Sequence, residues 1–171
     1  PNFGPIISAL PALLLAFMAL MASGIRDRTV IYSTTNGTVA LKKAQAAPAV
    51  YAGALINGEA VVERVLSEHP GETIIIVCSG SVDNFNLEDF YGAGYLVDLL
   101  SARLGSRCDL TDSALAAKTL FDPQRSREVL LASRVGRMMV ERDLVPEVEF
   151  AAKLSNTGVV PGLSGGLLRP V

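Results

Sequence analysis

Five small polar residues, TTNGT at positions 34–38, stand between a strand-like stretch and a helix-like stretch and could bind an anion. Where a strand passes directly into a helix, the first backbone N–H groups of the helix are unpaired and the helix dipole adds partial positive charge. Three threonine hydroxyls add donors, and Gly37 lets a ligand approach the backbone closely. Asn36-Gly37 is also a strong signal for a β-hairpin, but the residues that follow do not alternate in polarity and are typical of a helix. The pattern leaves both an anion site and an ordinary turn open.

A pair of carboxylates, Glu88 and Asp89, forms a second candidate site, because it opens a predicted helix shortly after a predicted strand ends at Cys78-Ser79. Asn57 stands at a further strand-to-helix turn. If the strands are parallel, all three turns meet at the carboxyl edge of the sheet, where α/β folds bind ligands. Donors for a phosphate would then lie beside carboxylate oxygens that can hold Mg²⁺. The ordinary alternative, favoured by the pattern alone, is an acid pair that stabilises the first turn of a helix.

Alternating strand and helix patterns after residue 28 position these three turns. Runs of β-branched and aromatic residues predict strands over residues 29–33, 49–53 and 73–78. Helix-forming runs predict helices over residues 38–45, 57–68 and 87–104. Asn86 is the expected N-cap of the last helix and Gly105 its stop, and the 73–78 run is apolar on both faces, as in a central parallel strand. This order predicts an α/β fold whose mostly parallel sheet is covered by helices.

The C-terminal part of the chain gives weaker signals. Residues 109–144 read as helical, residues 147–155 as a strand or extended stretch, and the Gly/Pro-rich residues 157–171 as mostly loop. GLSGG at positions 162–166 matches the spacing of a serine-hydrolase nucleophile elbow. We reject that interpretation because neither a helix nor a histidine follows it.

Charge and cysteine content narrow the function classes. The formal net charge is −2, so no basic surplus exists to hold a nucleic acid backbone. Cys78 and Cys108 lack a CxxC spacing, which argues against a zinc site and indicates a reducing, cytoplasmic setting. Cys78 has no arginine at the spacing of a cysteine phosphatase. The single histidine, His69, lies in a loop-like stretch and is interpreted as a solvated residue.

The first 28 residues form a separate stretch dominated by the apolar run at residues 6–22. The run is shorter than a membrane span, contains Pro11 and lacks the basic flank of a signal peptide. We expect a buried helix after Pro11 or a segment that packs against chain outside this sequence, and we do not expect a membrane partner. The proposed organisation is therefore an atypical segment, 1–28, and an α/β domain, 29–171.

Taken together in this order, the segments STTNGTVAL, AGALINGEAVV, VCSG and FNLEDFYGAGYLVDLL resemble the 2-phosphosulfolactate phosphatase family. SRVGRMM at residues 133–139 and a closing Val-Pro also fit, and the resemblance covers about residues 29–161. It implies a three-layer α/β/α sandwich with a mostly parallel or mixed sheet. It also implies a Mg²⁺-dependent phosphatase that converts 2-phospho-3-sulfolactate to sulfolactate and phosphate in coenzyme M-type biosynthesis.

The resemblance assigns roles to individual residues. It implies that the substrate's phosphate is bound by Thr34, Thr35, Asn36, Gly37, Thr38, Asn57, Ser79 and Gly80. Glu88 and Asp89 are the expected catalytic and metal-binding carboxylates. The implied partner is a small phosphorylated organic acid, and a homodimer is left open.

The sequence also departs from the family pattern. An Asp-Val-Leu-Arg-Ala-Thr-like motif and a Gly-Asn-Ser-Pro-like motif of the family's N-terminal part are absent, and Val135 replaces a histidine before the glycine of SRVGR. These departures indicate a truncated or rearranged member. The alternative to an active phosphatase is therefore a non-catalytic remnant or a small-anion-binding subunit.

Overall fold

The computed structural model describes residues 4–9, 36–81 and 84–171, which form a mixed β-sheet packed against helices. The strands of this part of the chain are β1 (Ile6–Ala9), β2 (Val50–Gly53), β3 (Ile75–Cys78), β4 (Pro161–Ser164) and β5 (Leu167–Pro170). Its helices are α1 (Gly37–Ala44), α2 (Gly58–Glu68), α3 (Leu87–Leu104), α4 (Asp112–Leu120), α5 (Ser126–Ala132), α6 (Arg134–Val140) and α7 (Val145–Ala151). The predicted α/β class is confirmed.

The sheet has the strand order β3-β1-β2-β4-β5, and the strand direction reverses between β2 and β4 and again between β4 and β5. β1 runs parallel to both neighbours, and Ala9 at its end is in register with Gly53 of β2 and Cys78 of β3. β4 is antiparallel to β2, and β5 is antiparallel to β4. The carboxyl ends of three strands therefore share one edge of the sheet.

The two faces of the sheet bury alternate residues of β2 against different helices. Val50 and Ala52 pack with Leu41 of α1 on one face. Tyr51 packs on the other face with three buried valines of α2 and with Leu96 of α3. Because successive side chains of a strand point to opposite faces, the helices form two layers around the sheet. The predicted three-layer α/β/α arrangement follows.

A second apolar core lies on the side of α3 away from the sheet. Tyr91 and Tyr95 of α3 pack there against buried residues of α5, α6 and α7. The SRVGR segment belongs to this core. Ser133 Oγ caps α6 by accepting the Gly136 N–H at 2.9 Å, and a Cβ on Gly136 would lie 1.8 Å from the Leu130 carbonyl oxygen. The serine and the glycine of this segment thus have a packing role between α5 and α6.

Most of the predicted elements are confirmed, and the last predicted helix matches α3 at both ends. Asn86 is at the N-cap position and Gly105 ends the helix with φ +56°. The prediction of a strand or extended stretch over residues 147–155 is wrong, since residues up to Ala151 belong to α7. The predicted strand over residues 29–33 lies outside the described residues.

The prediction of a loop over residues 157–171 is also wrong in part. β4 and β5 form a hairpin there, closed by Gly165 and Gly166 with φ +57° and +77°. Two glycines with positive φ give the turn whose twist matches paired strands. Ser164 is the last residue of β4, so its surroundings are those of a hairpin.

Two strands occupy unexpected places. β1 comes from the first 28 residues, for which no strand was expected, while residues 10–28 lie outside the described part of the chain. β3 was expected at the centre, but it is the terminal strand of the sheet that the described residues form, and its side chains are only partly buried up to the exposed Cys78. Among the described helices, none combines the length and apolar character needed to span a membrane.

Candidate functional site

The carboxyl edge of the parallel strands brings two of the predicted turns together. β2 is followed by the short 3-10 turn Leu55–Asn57, and β3 by Ser79 and Gly80. Both strands flank β1 in register, so at about 4.8 Å between strands the two turns begin roughly 10 Å apart.

The third turn, at Asn36-Gly37, comes to the same edge of the sheet but belongs to α1, which packs on the face opposite to α2 and α3. α1 ends at Ala44 and the chain then enters β2 at Val50, so α1 runs back along the strands. Eight helical residues span about 12 Å, which matches the roughly 13 Å of a four-residue strand. The N-terminus of α1 therefore lies near the carboxyl edge. Gly37 begins a helix, which excludes the hairpin alternative, while Thr34 and Thr35 lie outside the described residues.

Asp89 is the buried acid of this edge. It is 1% exposed, and its Oδ2 accepts the Gly80 N–H at 2.8 Å and the Ser79 hydroxyl at 3.2 Å. Burial raises the pKa of Asp89 to about 6, and the neighbouring Glu88 charge adds to the rise, although the hydrogen bonds from Gly80 and Ser79 oppose it. A carboxyl group with such a pKa is poised to exchange a proton or to meet a cation near neutral pH. Four predicted site residues are thus neighbours.

Unpaired oxygen atoms gather at the start of α3. Glu88 Oε1, Asp89 Oδ1 and Asn86 Oδ1 are each buried without a hydrogen-bond partner. A buried acceptor without a donor costs free energy and calls for a specific explanation. Oxygen atoms of this kind are the ligands that Mg²⁺ takes in proteins. In the described ranges no three His, Cys, Asp or Glu residues form a metal-binding group.

Gly80 has the backbone conformation that the loop after β3 requires. Its φ is +66°, and a Cβ on it would lie 2.8 Å from the Asn84 carbonyl oxygen. The loop is closed by two backbone hydrogen bonds between Ser81 and Asn84, both 3.0 Å. Gly80 thus allows the tight loop that carries its own N–H to Asp89.

We expect Gly80→Ala to destabilise the protein by about 2 kcal/mol, from left-handed strain and the clash with Asn84. Displacement of the loop should also weaken any ligand binding at Asp89. Urea denaturation followed by circular dichroism measures the first effect.

Gly71→Ala is the matched control for this substitution. Gly71 also has positive φ, +77°, but a Cβ there would meet no atom of the described residues within 4 Å. Its variant should show only the strain of about 1 kcal/mol. Equal losses in the two variants would contradict the assigned clash.

The Asn57 side chain is occupied by its own chain. Its amide nitrogen donates to the carbonyl oxygens of Ala52 and Val159, each at 3.1 Å, and its Oδ1 accepts the Ala54 N–H at 2.8 Å. Asn57 is also 2% exposed. Both amide hydrogens are therefore used, and the structure gives Asn57 the role of fixing the turn after β2. Its predicted contact with a phosphate stays a prediction.

A C-terminal segment covers the same turn, which sequence reasoning did not foresee. Ser155 Oγ accepts the Glu59 N–H at 2.9 Å and pairs with the Tyr95 hydroxyl at 2.7 Å. The backbone N–H groups of Ser155 and Thr157 donate to Leu55 and Ile56. This distant serine caps the start of α2. The helix starts at this edge that lack a side-chain cap and could bind an anion through their amides are therefore those of α1 and α3.

The sequence model of the 2-phosphosulpholactate phosphatase family matches residues 17–166. The chain belongs to this family. It is 35% identical over 138 residues to a probable 2-phosphosulfolactate phosphatase of Carboxydothermus hydrogenoformans, covering 81% of this chain and 56% of that relative. A protein of the same description from Deinococcus radiodurans is 35% identical over 147 residues, covering 83% and 59%. The chain thus spans less than two thirds of the length of these relatives.

Cys78 does not have the properties of a nucleophile in this family member. Although Cys78 is exposed by surface area, surrounding protein atoms partly desolvate its thiol and raise the pKa to about 11, and the Asp89 charge adds to the rise. The reactive thiolate form is therefore scarce at neutral pH.

An open apolar groove of about 720 Å³ lies beside the site. Phe85 and Phe90, which flank the Asn86-to-Asp89 segment, form one wall with ring centroids 5.4 Å apart, and α4 supplies the other. Phe85 is 70% exposed. This groove could not be predicted from the sequence, because Phe85 and Phe90 meet α4 only through tertiary packing.

Proposed function

We propose that this chain carries the activity of a Mg²⁺-dependent phosphatase that hydrolyses 2-phospho-3-sulfolactate to 3-sulfolactate and phosphate. Membership of the family and the descriptions of the relatives support the reaction class and substrate. One structural observation carries the site: buried, unpaired carboxylate oxygens of Glu88 and Asp89 stand at a helix start on the carboxyl edge of parallel strands. Such an edge is where α/β folds bind ligands.

The residues present fit a Mg²⁺ ion. Mg²⁺ is usually held by one or two carboxylates and completes its shell with water and substrate phosphate, which is what Glu88 and Asp89 offer. When bound, the ion would neutralise the phosphate charge and polarise the phosphoryl group. Asp89 Oδ2 is fixed by Ser79 and Gly80, so Oδ1 is the atom left for this role.

The phosphoryl oxygens would be bound by backbone amides. The first turn of α3 has no side-chain cap, so its N–H groups can donate to an anion, and the helix dipole favours one there. The segment Asn36 to Thr38 opens α1 at the same edge, which supports the phosphate role that the resemblance gives to Thr34, Thr35, Asn36, Gly37 and Thr38. During in-line attack of a water molecule on the phosphorus, Glu88 and Asp89 are the groups that would accept the water's proton and protonate the leaving oxygen.

We further propose that the reaction supplies sulfolactate for coenzyme M-type biosynthesis in the cytoplasm. The reduced state of Cys78 and Cys108 agrees with that compartment. The substrate is a small phosphorylated acid, and no macromolecular partner is needed for the chemistry.

Release of inorganic phosphate from 2-phospho-3-sulfolactate by this chain tests the proposal. We expect turnover in excess Mg²⁺ and a loss of about 100-fold or more in EDTA, because the developing phosphate charge then lacks its counter-ion. Restoring Mg²⁺ should restore turnover.

The same preparation discriminates the non-catalytic alternative. Folded protein without turnover, whose melting temperature still rises with inorganic phosphate, would identify an anion-binding remnant. A parallel assay with the full-length relative from Deinococcus radiodurans controls for the substrate and the assay.

A further inference from the structure

Asn86 occupies the N-cap position of α3 without acting as a cap. Its backbone is extended, with φ −113° and ψ +123°, yet its side chain accepts no hydrogen bond from the first turn. Thr111 and Ser133, by contrast, cap α4 and α6 by accepting the amides three residues on. An asparagine at this position usually does the same. The missing cap hydrogen bond of Asn86 therefore needs another explanation.

The unused oxygen of Asn86 belongs to the same helix start as the unused oxygens of Glu88 and Asp89. Asn86 is 6% exposed, and its Oδ1 is fully buried and unpaired. Asp89 lies three residues on, so the two side chains share one side of the first turn. Asp89 has one oxygen occupied by Gly80 and Ser79 and the other free, and Glu88 adds a further buried oxygen. Within the described residues, these three oxygen atoms are acceptors without a donor.

A cation satisfies such a cluster better than a hydrogen-bond donor does. Two carboxylates and one amide oxygen give a net charge of −2, all from hard oxygen atoms, which is the chemistry that Mg²⁺ prefers. Resting on the proposed function, we propose that Asn86 Oδ1 is a third protein ligand of the Mg²⁺ ion assigned to Glu88 and Asp89.

This assignment also accounts for the missing cap. An Asn86 oxygen that faces the cation leaves the first amides of α3 open, and these are the amides that the proposed function gives to the phosphoryl oxygens. Cation and phosphate would then meet at one helix start, the cation on side-chain oxygens and the phosphate on backbone N–H groups. A side-chain cap would compete with both.

Two substitutions separate a metal ligand from a helix cap. Serine is as good a cap as asparagine but is too short to keep the oxygen in place, whereas aspartate keeps the shape and adds charge. We expect Asn86→Ser to weaken Mg²⁺ binding about tenfold or more while the melting temperature in EDTA stays equal or rises. Asn86→Asp should retain or tighten binding. Calorimetric titration with MgCl₂, and the Mg²⁺-dependent rise in melting temperature, measure both without substrate.

Controls keep this inference distinct from the proposed function. Glu147→Gln removes another carboxylate with a buried unpaired oxygen in the first turn of a helix, α7, and should leave Mg²⁺ affinity unchanged. Asp89→Asn should abolish Mg²⁺ binding. If Asp89→Asn loses binding but Asn86→Ser keeps wild-type affinity, the role of Asn86 is overturned and the Mg²⁺ site stands. If the wild-type chain binds no Mg²⁺, both are overturned.

Discussion

Asp89→Asn is expected to abolish phosphate release and, in EDTA at neutral pH, to raise the melting temperature. Activity should fall by about 100-fold or more, because the variant lacks the charge that stabilises the transition state with the ion. Stability should rise because a buried carboxylate with no counter-charge in EDTA is replaced by a neutral amide of the same shape. That amide can still accept from Gly80 and Ser79, and its new N–H₂ can donate to unpaired oxygens of Asn86 or Glu88.

The pH dependence of stability gives this prediction its sign. The pKa of Asp89 rises from 3.8 to about 6 on folding, so between these values the folded state binds more protons than the unfolded state. The free energy of unfolding of the wild-type protein therefore falls as the pH increases from about 4 to about 6, by at most about 3 kcal/mol. The free energy of unfolding of Asp89→Asn should not fall in this way, because the amide does not titrate. In EDTA its advantage in melting temperature should reach roughly 5 °C at neutral pH and shrink towards pH 4.

Thermal unfolding of both proteins in EDTA across this pH range checks the prediction. Asp112→Asn is the matched control, since Asp112 also opens a helix but is exposed. Its loss should lower stability slightly, by about 0.3–1 kcal/mol, through the helix dipole. Parallel pH profiles for wild type and Asp89→Asn would contradict the assigned cost of burying the Asp89 charge. A Mg²⁺-dependent rise in the melting temperature of Asp89→Asn would contradict its role as a ligand.

Local sequence signals correctly predicted the elements whose ends carry capping or helix-stop residues. α3 could be placed at both ends because Asn86, two acids and Gly105 are terminal signals that act within one turn. The segment 147–155 was misread because its strand-forming residues are overridden by packing: Val148 and Ala151 fill the core between α5 and α6. β1 was missed because a four-residue strand inside a long apolar run has no boundary signal of its own.

The structure brings together those candidate site residues that lie close to one another along the chain. Ser79, Gly80 and Asp89 fall within eleven positions, and Ser79 and Gly80 both donate hydrogen bonds to Asp89, while Glu88 is its neighbour along the chain. The hydrogen bonds that hold the Asn57 side chain could not be predicted, because one of its partners, Val159, is 102 residues away along the chain. Asn86 was predicted only as a cap, since the sequence cannot show that its side chain makes no hydrogen bond to the first turn.

Gly94→Ala is expected to destabilise the protein by about 3 kcal/mol, although alanine is the better helix former. A Cβ at Gly94 would lie 2.2 Å from the Ala117 carbonyl oxygen and 3.0 Å from Phe121 Cβ. The first of these is backbone, so the clash can be relieved only by moving α4 away from α3. Such a shift would also separate Phe121 from the rings of Tyr91 and Tyr95, now 5.2 and 5.1 Å away between centroids.

Gly92→Ala, two residues earlier on the same helix, isolates this effect. Among the described residues, a Cβ at Gly92 would meet no neighbouring atom within 4 Å, so we expect the substitution to stabilise the protein by up to about 1 kcal/mol through helix propensity. Urea denaturation of the two variants should therefore give opposite signs. Similar values for both would mean that α4 can slide along α3 at little cost. The groove between α4 and the two phenylalanines would then be adjustable, since its width is set by the approach of α4 at Gly94.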